Sequence, residues 1–202
     1  VDSYTMYIGE SNGLHNIPHQ NLLGNFKKIE CGDDFVEILK TDGNLVVWGT
    51  GSITGSVPIF NGVVDDISAG NRHIIALDQS GKIYVWGETS YTGSIPTFVD
   101  NNYSYIKAGP SGSVAVHKNG SIYGFGHSSA SSFFTSIPQK TNVKKISIGS
   151  SHGMILDNDG NLYSWGVDST YNQSTIPNLQ NTNVLDVDCG DDHTVIVKNN
   201  GE

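Results

Sequence analysis

The stretch DISAGNRHIIALDQSGKIYVWG, residues 66–87, reads as three short strands in succession. An alternating run ends at an Ala-Gly pair, an apolar run HIIALD follows, and a turn leads into KIYVWG. Within the last strand Tyr84 and Trp86 point to one face, Ile83 and Val85 to the other. Both faces are apolar, so both need cover. Four more lines of the chain repeat the pattern, beginning at Lys27 (KKIECGDDFVEILKTDG), Ser104 (SYIKAGPSGSVAVHKNG), Lys144 (KKISIGSSHGMILDNDG) and Leu185 (LDVDCGDDHTVIVKNNG).

Two registers of glycine fix the period. The first runs through Gly32, Gly70, Gly109, Gly149 and Gly190, spaced 38, 39, 40 and 41 residues apart. The second follows the aromatic of the third strand, at Gly9, Gly49, Gly87, Gly126 and Gly166. A repeat of this length dictates the architecture. The units are 4–43, 44–81, 82–120, 121–160 and 161–202, in one domain spanning 1–202. Asp42-Gly43, Asn119-Gly120 and Asp159-Gly160 predict type I′ hairpin turns, which need positive φ at both central residues. No window shows a 3.6-residue apolar period, so no helix is expected. Small antiparallel sheets that need cover on both faces, repeated at a fixed period, predict an all-β propeller.

The two ends of the chain differ in phase. The last unit stops at Asn200-Gly201-Glu202, where a third strand should begin, and Tyr4–Gly9 has the pattern of such a strand. The expectation is a closed five-bladed ring in which that N-terminal strand completes the last blade and removes two open edges. Closure would bring Cys31 and Cys189, which hold the same place in units one and five, close together. Two cysteines are too few for a disulfide scaffold and lack metal-ligand spacing, so both are read as small buried thiols, with a disulfide between them as the alternative.

Composition narrows the function. The 202 residues carry 20 Asp and Glu against 11 Lys and Arg, a net charge of −9, with no basic cluster longer than Lys27-Lys28 or Lys144-Lys145. Nucleic-acid binding rests on cations that neutralise phosphates, so DNA and RNA are disfavoured as partners. No segment approaches the ~20 apolar residues of a membrane-spanning helix. Neither a nucleophile elbow, nor a phosphate-cradling glycine loop, nor zinc spacing occurs, so the reading is of a non-enzyme with no cofactor and no metal.

The pattern of residues 66–87, with its AGxxH and IYxWG elements, resembles the repeat of the regulator of chromosome condensation family, and the resemblance extends over all five units. It implies a β-propeller. Familiar members carry more and longer blades; the compact unit here is closer to the short-repeat propeller that acts as a secreted β-lactamase inhibitor protein. The resemblance also implies structural roles for His73, His152 and His193, three residues beyond the aligned glycine, and for Trp48, Trp86, Phe125 and Trp165 as blade-to-blade packing.

Candidate binding residues lie in the variable positions. Asp33-Asp34 and Asp191-Asp192 fall between the aligned glycine and the His position, in loops expected on one face. If the ring closes, these four carboxylates become neighbours, a negative field suited to a basic partner or to a hard cation with oxygen ligands, or else a solvated rim. The segments after the second glycine, ending at Pro18, Pro58, Pro96, Pro138 and Pro177, hold Tyr91, Phe133, Phe134 and Tyr171 among small polar residues. Such a mixture resembles a binding paratope, unless the rings fold back over the blade edge. The leading function is therefore a monomeric, non-enzymatic module that presents loops to a protein, with an enzyme inhibitor as one form of it. The alternative is a structural or adhesive module, viral or on a surface, that binds carbohydrate. Guanine-nucleotide exchange, implied by the founding family member, is disfavoured: units of 38 to 42 residues leave no room for a protruding wedge.

Overall fold

The three-strand lines of the sequence become five antiparallel sheets. In this computed structural model residues 24–50, 52–92, 100–127, 131–167, 172–177 and 184–200 are described. The first sheet holds β1 (Phe26–Cys31), β2 (Phe35–Lys40) and β3 (Leu45–Gly49), and the second β4 (Val64–Ala69), β5 (His73–Asp78) and β6 (Ile83–Gly87). The third holds β7 (Tyr103–Gly109), β8 (Gly112–His117) and β9 (Ile122–Gly126), and the fourth β10 (Val143–Ile148), β11 (His152–Asp157) and β12 (Leu162–Gly166). The fifth pairs β13 (Val184–Cys189) with β14 (Thr194–Lys198). Each of the first four sheets draws its strands from both sides of a boundary between sequence units.

Register repeats as faithfully as sequence. Ile29 lies opposite Ile38, Ile67 opposite Ala76, Ile106 opposite Ala115, Ile146 opposite Ile155 and Val187 opposite Ile196. Every first strand also slips register at one place: Phe26/Lys28, Val64/Asp66, Tyr103/Tyr105, Val143/Lys145 and Val184/Asp186. A bulge adds local twist, and a twist placed alike in each sheet lets neighbours stack at a constant angle. β1 packs on β4, β4 on β7, β7 on β10 and β10 on β13. The fold is an all-β propeller of five sheets.

The core lies between sheets, as the apolar faces require. Leu39 of the first sheet clusters with Ile67, Ile74 and Ala76 of the second; Ile75 and Leu77 of the second cluster with Ile106 and Ala115 of the third. Val114 and Val116 then meet Ile146 and Ile155, and Met154 and Leu156 meet Val187 and Ile196. The aromatics follow: Trp86, Phe125 and Trp165 are buried in these seams. Cys31, Gly70, Gly109, Ile148 and Cys189 line one central space, so the five inner strands surround a shared axis. Both cysteines are free thiols, and Cys31 is exposed. The expected closing strand Tyr4–Gly9 lies outside the described residues.

Two local expectations are corrected. The hairpins are not type I′: Gly43, Gly81, Gly120 and Gly160 have φ of 83°, 88°, 92° and 83°, whereas the residues before them do not have positive φ. In the first, Gly43 N donates to Lys40 O and Lys40 N to Asn44 O, a three-residue loop whose left-handed position only the glycine supplies. Among the described residues there are also three single-turn helices, α1 (Ser52–Gly55), α2 (Thr89–Thr92) and α3 (Ser131–Thr135), in the segments after the aromatic strand. One turn is too short to show an apolar period.

One repeat position supplies an internal control for packing. Ile67, Ile106 and Ile146 are fully buried, whereas the equivalent Ile29 is 45% exposed. Truncating Ile67 or Ile146 to alanine should cost about 2–5 kcal/mol of unfolding free energy, against less than ~1 kcal/mol for Ile29→Ala, as measured by denaturant titration.

Candidate functional site at the loop face of the propeller

The inner strands are joined to one another by polar side chains, and this joining sets where the loops stand. Lys28 Nζ donates to Asp66 Oδ1 at 2.8 Å and to Ile67 O at 2.6 Å. Ser68 Oγ accepts from Ala108 N at 3.0 Å. Tyr105 Oη accepts from Ile146 N at 3.1 Å and donates to Ile146 O at 3.3 Å. Lys145 Nζ donates to Asp186 Oδ1 at 2.8 Å, and Ser147 Oγ donates to Asp188 Oδ1 at 2.6 Å while accepting from Cys189 N at 2.9 Å. Each sheet thus holds the next at its axial edge, through backbone groups or carboxylates that would otherwise be left without partners.

A second set of contacts runs through the expected structural histidines. The ring of His73 meets Ser113 Oγ of the following sheet at 2.9 Å, and that of His152 meets Thr194 Oγ1 at 2.9 Å. The glycine of the AG pair makes room for the imidazole: a Cβ on Gly70 would lie 2.2 Å from His73 Cε1 and 2.5 Å from Gly109 O. Burial lowers the His73 pKa to about 4, against a smaller opposing effect of the Gly112 backbone. Where the first sheet has Phe35 in place of the histidine, the second supplies Ile74 at the position of Ser113, an apolar pair for a polar one. His193 in the fifth sheet is exposed.

The variable loop residues follow directly on the inner strands whose ends line the central space. Asp33, Asp34, Asn71, Arg72, Asp191 and Asp192 are all exposed there. The acidic pairs are tied to different neighbours. Asp33 N donates to Asn71 O at 2.9 Å, and the Asp33 carboxylate lies 3.6 Å from Arg72 Nε. Asp191 Oδ1 accepts from Ser150 Oγ at 2.7 Å. Arg72 also pairs with Glu88 at 3.1 Å. A shallow pocket lined by Asp34, Phe35, Thr50, Ile53, Asn71, Arg72 and Glu88 spans the seam between the first two sheets. Tyr91 on α2 is half-buried, with its ring 6.5 Å from that of His73 and 5.5 Å from that of His127. Tyr171 lies outside the described residues.

Phe133 and Phe134 are not contact residues. Both are buried, with rings 4.8 Å apart, and Phe133 stacks on Trp165 at 5.6 Å. The cause lies in the third sheet, which has Gly112 at the histidine position and Gly124 and Gly126 on its outer strand. A Cβ on Gly112 would sit 2.5 Å from the Phe134 ring. The phenyl group fills the volume that the imidazole occupies elsewhere. The sequence carried a signal for this: the longest variable segment, with its two phenylalanines, follows the unit that has Gly112 in place of the histidine.

Among the described residues, no group of three or more His, Cys, Asp or Glu is placed to hold a metal ion. The Asp100–His117 pair looks like a dyad, with Nε2 3.1 Å from Asp100 Oδ1. Asn119 N, however, donates to His117 Nδ1 at 3.1 Å, so both ring nitrogens are engaged in holding a turn.

Residues 64–91 and 143–173 match the family model of the regulator of chromosome condensation (RCC1) repeat. Both stretches are similar to the RCC1 repeat. Its fold is similar to yeast RCC1 (Prp20) in the structure of that protein with Kap60, at a TM-score of 0.73 and 18% identity, over 91% of this chain and 56% of that one. A second structure, of Prp20p from Saccharomyces cerevisiae, reported with its binding properties to Gsp1p and histones, gives 0.65 and 20% over 86% and 56%. Human WBSCR16 gives 0.64 and 19% over 87% and 58%. The chain spans somewhat more than half the length of these three proteins. Comparison with curated protein sequences finds no match.

Two outcomes follow from the packing. Phe134→Ala should lower the unfolding free energy by about 3–5 kcal/mol in denaturant titration, because it empties the space beside Gly112. His73 binds its proton less readily folded than unfolded, so the stability it supports is complete above about pH 6.5 and is lost as the pH falls towards 4. His73→Gln should remove that component of the acid limb, read as the melting temperature between pH 7 and pH 4.

Proposed function

We propose that this propeller is a non-catalytic protein-binding module whose contact face is the loop end of the sheets. The observation that carries this reading is the exposed set Asp33, Asp34, Asn71, Arg72, Asp191 and Asp192, in the turns that follow the axis-lining residues Cys31, Gly70 and Cys189. A rigid frame keeps the ordering cost of association low. The face is acidic, as is the chain, so the partner is a basic protein surface, and the attraction is screened by salt. The structural relatives point the same way: one solved structure holds yeast RCC1 with Kap60, and the other concerns binding to Gsp1p and histones. Tyr91 supplies a half-buried aromatic near Arg72. Blocking an enzyme's active site would be one use of such a face.

The experiment is affinity capture with the chain and with a variant carrying Asp33→Asn, Asp34→Asn, Asp191→Asn and Asp192→Asn. All four are exposed, so the variant should keep its melting temperature within a few degrees. The expected outcome is a basic protein retained by the parent chain, weakened about fourfold or more in the variant and by moderate salt, as four charge pairs at ~0.2–1 kcal/mol each would give. Equal capture by both chains would overturn the reading.

A further inference from the structure

Glu37 is the one feature of the first seam that the repeat does not account for. It lies in the middle of β2, on the face turned to the second sheet. Its equivalents in the next four sheets are Ile75, Val114, Met154 and Val195, opposite Ser68, Lys107, Ser147 and Asp188 as Glu37 is opposite Glu30. The position is built for an apolar side chain. Glu37 has no exposed surface, and neither of its carboxylate oxygens has a hydrogen-bond partner.

The charged groups around it come from two strands. β1 contributes Glu30 directly opposite, Lys28 and the Cys31 thiol, and β4 contributes Asp66. On its other side lies Val47 of β3, and β5 adds Ile74 and Ala76 to the same seam. Lys28 is already shared between Asp66 at 2.8 Å and Glu30 at 3.2 Å. A third carboxylate charge here would have one ammonium group to divide with two others, and no other cation beside it among these groups. Burial accordingly holds the Glu37 carboxyl well above the usual carboxylate range; Glu30 and Asp66 push the same way, and Lys28 opposes them.

We propose that the seam between the first and second sheets is a proton-operated latch, closed while Glu37 carries its proton and loosened when the proton leaves. In the closed form the neutral carboxyl stands in for the isoleucine or methionine of the other seams. Ionised, it places an unpaired charge in an apolar contact and competes for the Lys28 ammonium that joins β1 to β4. Above this seam stand the Asp33–Arg72 pair and the pocket through Asp34, Phe35, Asn71 and Glu88, so the latch sets the firmness of that part of the loop face. Acidification tightens it.

Direction and window follow from linkage. A carboxyl that ionises less readily in the folded chain contributes full stability below the unfolded value near 4.5 and loses it as the pH rises above that. The test compares the parent chain with Glu37→Gln and Glu37→Met in thermal unfolding from pH 4 to pH 8.5, together with hydrogen exchange of β2 and β4 corrected for intrinsic rates. The expected result is a melting-temperature gap between parent and Glu37→Met that widens with pH by several degrees. In the parent alone, protection of β2 falls at least several-fold towards high pH. Glu37→Gln keeps the size and loses the titration, so its pH profile should follow that of Glu37→Met even if its stability is lower throughout. Other titrating groups, His73 included, cancel in the comparison. A gap constant from pH 4 to pH 8.5, or equal pH dependence of β2 exchange in all three chains, would overturn the proposal.

Discussion

A three-stranded sheet with two apolar faces cannot shed water by itself. In this chain every sheet carries that condition: Tyr84 and Trp86 on one side of β6 are matched by Ile83 and Val85 on the other, and the same holds along β5. Burial of such faces is the dominant favourable term in folding, and sheets of one shape can obtain it only by stacking on their own kind. The period of about forty residues, the common bulge in each first strand and the shared axial space all serve that single requirement.

Apolar stacking alone would leave sheets free to slide. What fixes them is polar: Lys28 on Ile67 O and Tyr105 on the Ile146 backbone at one repeat position, and Ser68 on Ala108 N and Ser147 on Cys189 N two residues further along, three kinds of side chain at two places. The seams show the same latitude. His73 with Ser113, His152 with Thr194, Phe35 with Ile74, and Gly112 with a phenyl ring in the space are four solutions to one volume. Constraint acts on pairs across a seam more than on single positions, and this explains how units so unlike in detail share one backbone.

That pairwise logic marks what was legible in the sequence. The sheets, their order and the central aromatic packing followed from alternation and from the two glycine registers, because those depend on a unit's own residues. The role of the histidines was legible only through the family resemblance, since the partner hydroxyl lies some forty residues away. Phe133 and Phe134 were misread as contact residues for the same reason: the space they fill is made by Gly112 and Gly124, on a different part of the line. The hairpin type was missed because Asp-Gly and Asn-Gly also suit a three-residue loop with glycine alone at positive φ. Glu37 drew no attention inside FVEILK, where it alternates as a strand residue should. Only alignment against Ile75, Val114 and Met154 exposes it.

Two adjacent seams of one architecture therefore answer to pH in opposite directions. Between the second and third sheets, burial keeps His73 neutral, so protonation is what that seam resists, and its contribution fades as the pH falls from about 6.5 towards 4. Between the first and second, burial keeps Glu37 neutral, so ionisation is what that seam resists, and its contribution fades as the pH rises above about 4.5. The physical cause is one and the same, a low-dielectric contact that penalises charge of either sign. A repeat scaffold supplies that contact several times over, and a single residue at one copy decides which way the seam responds.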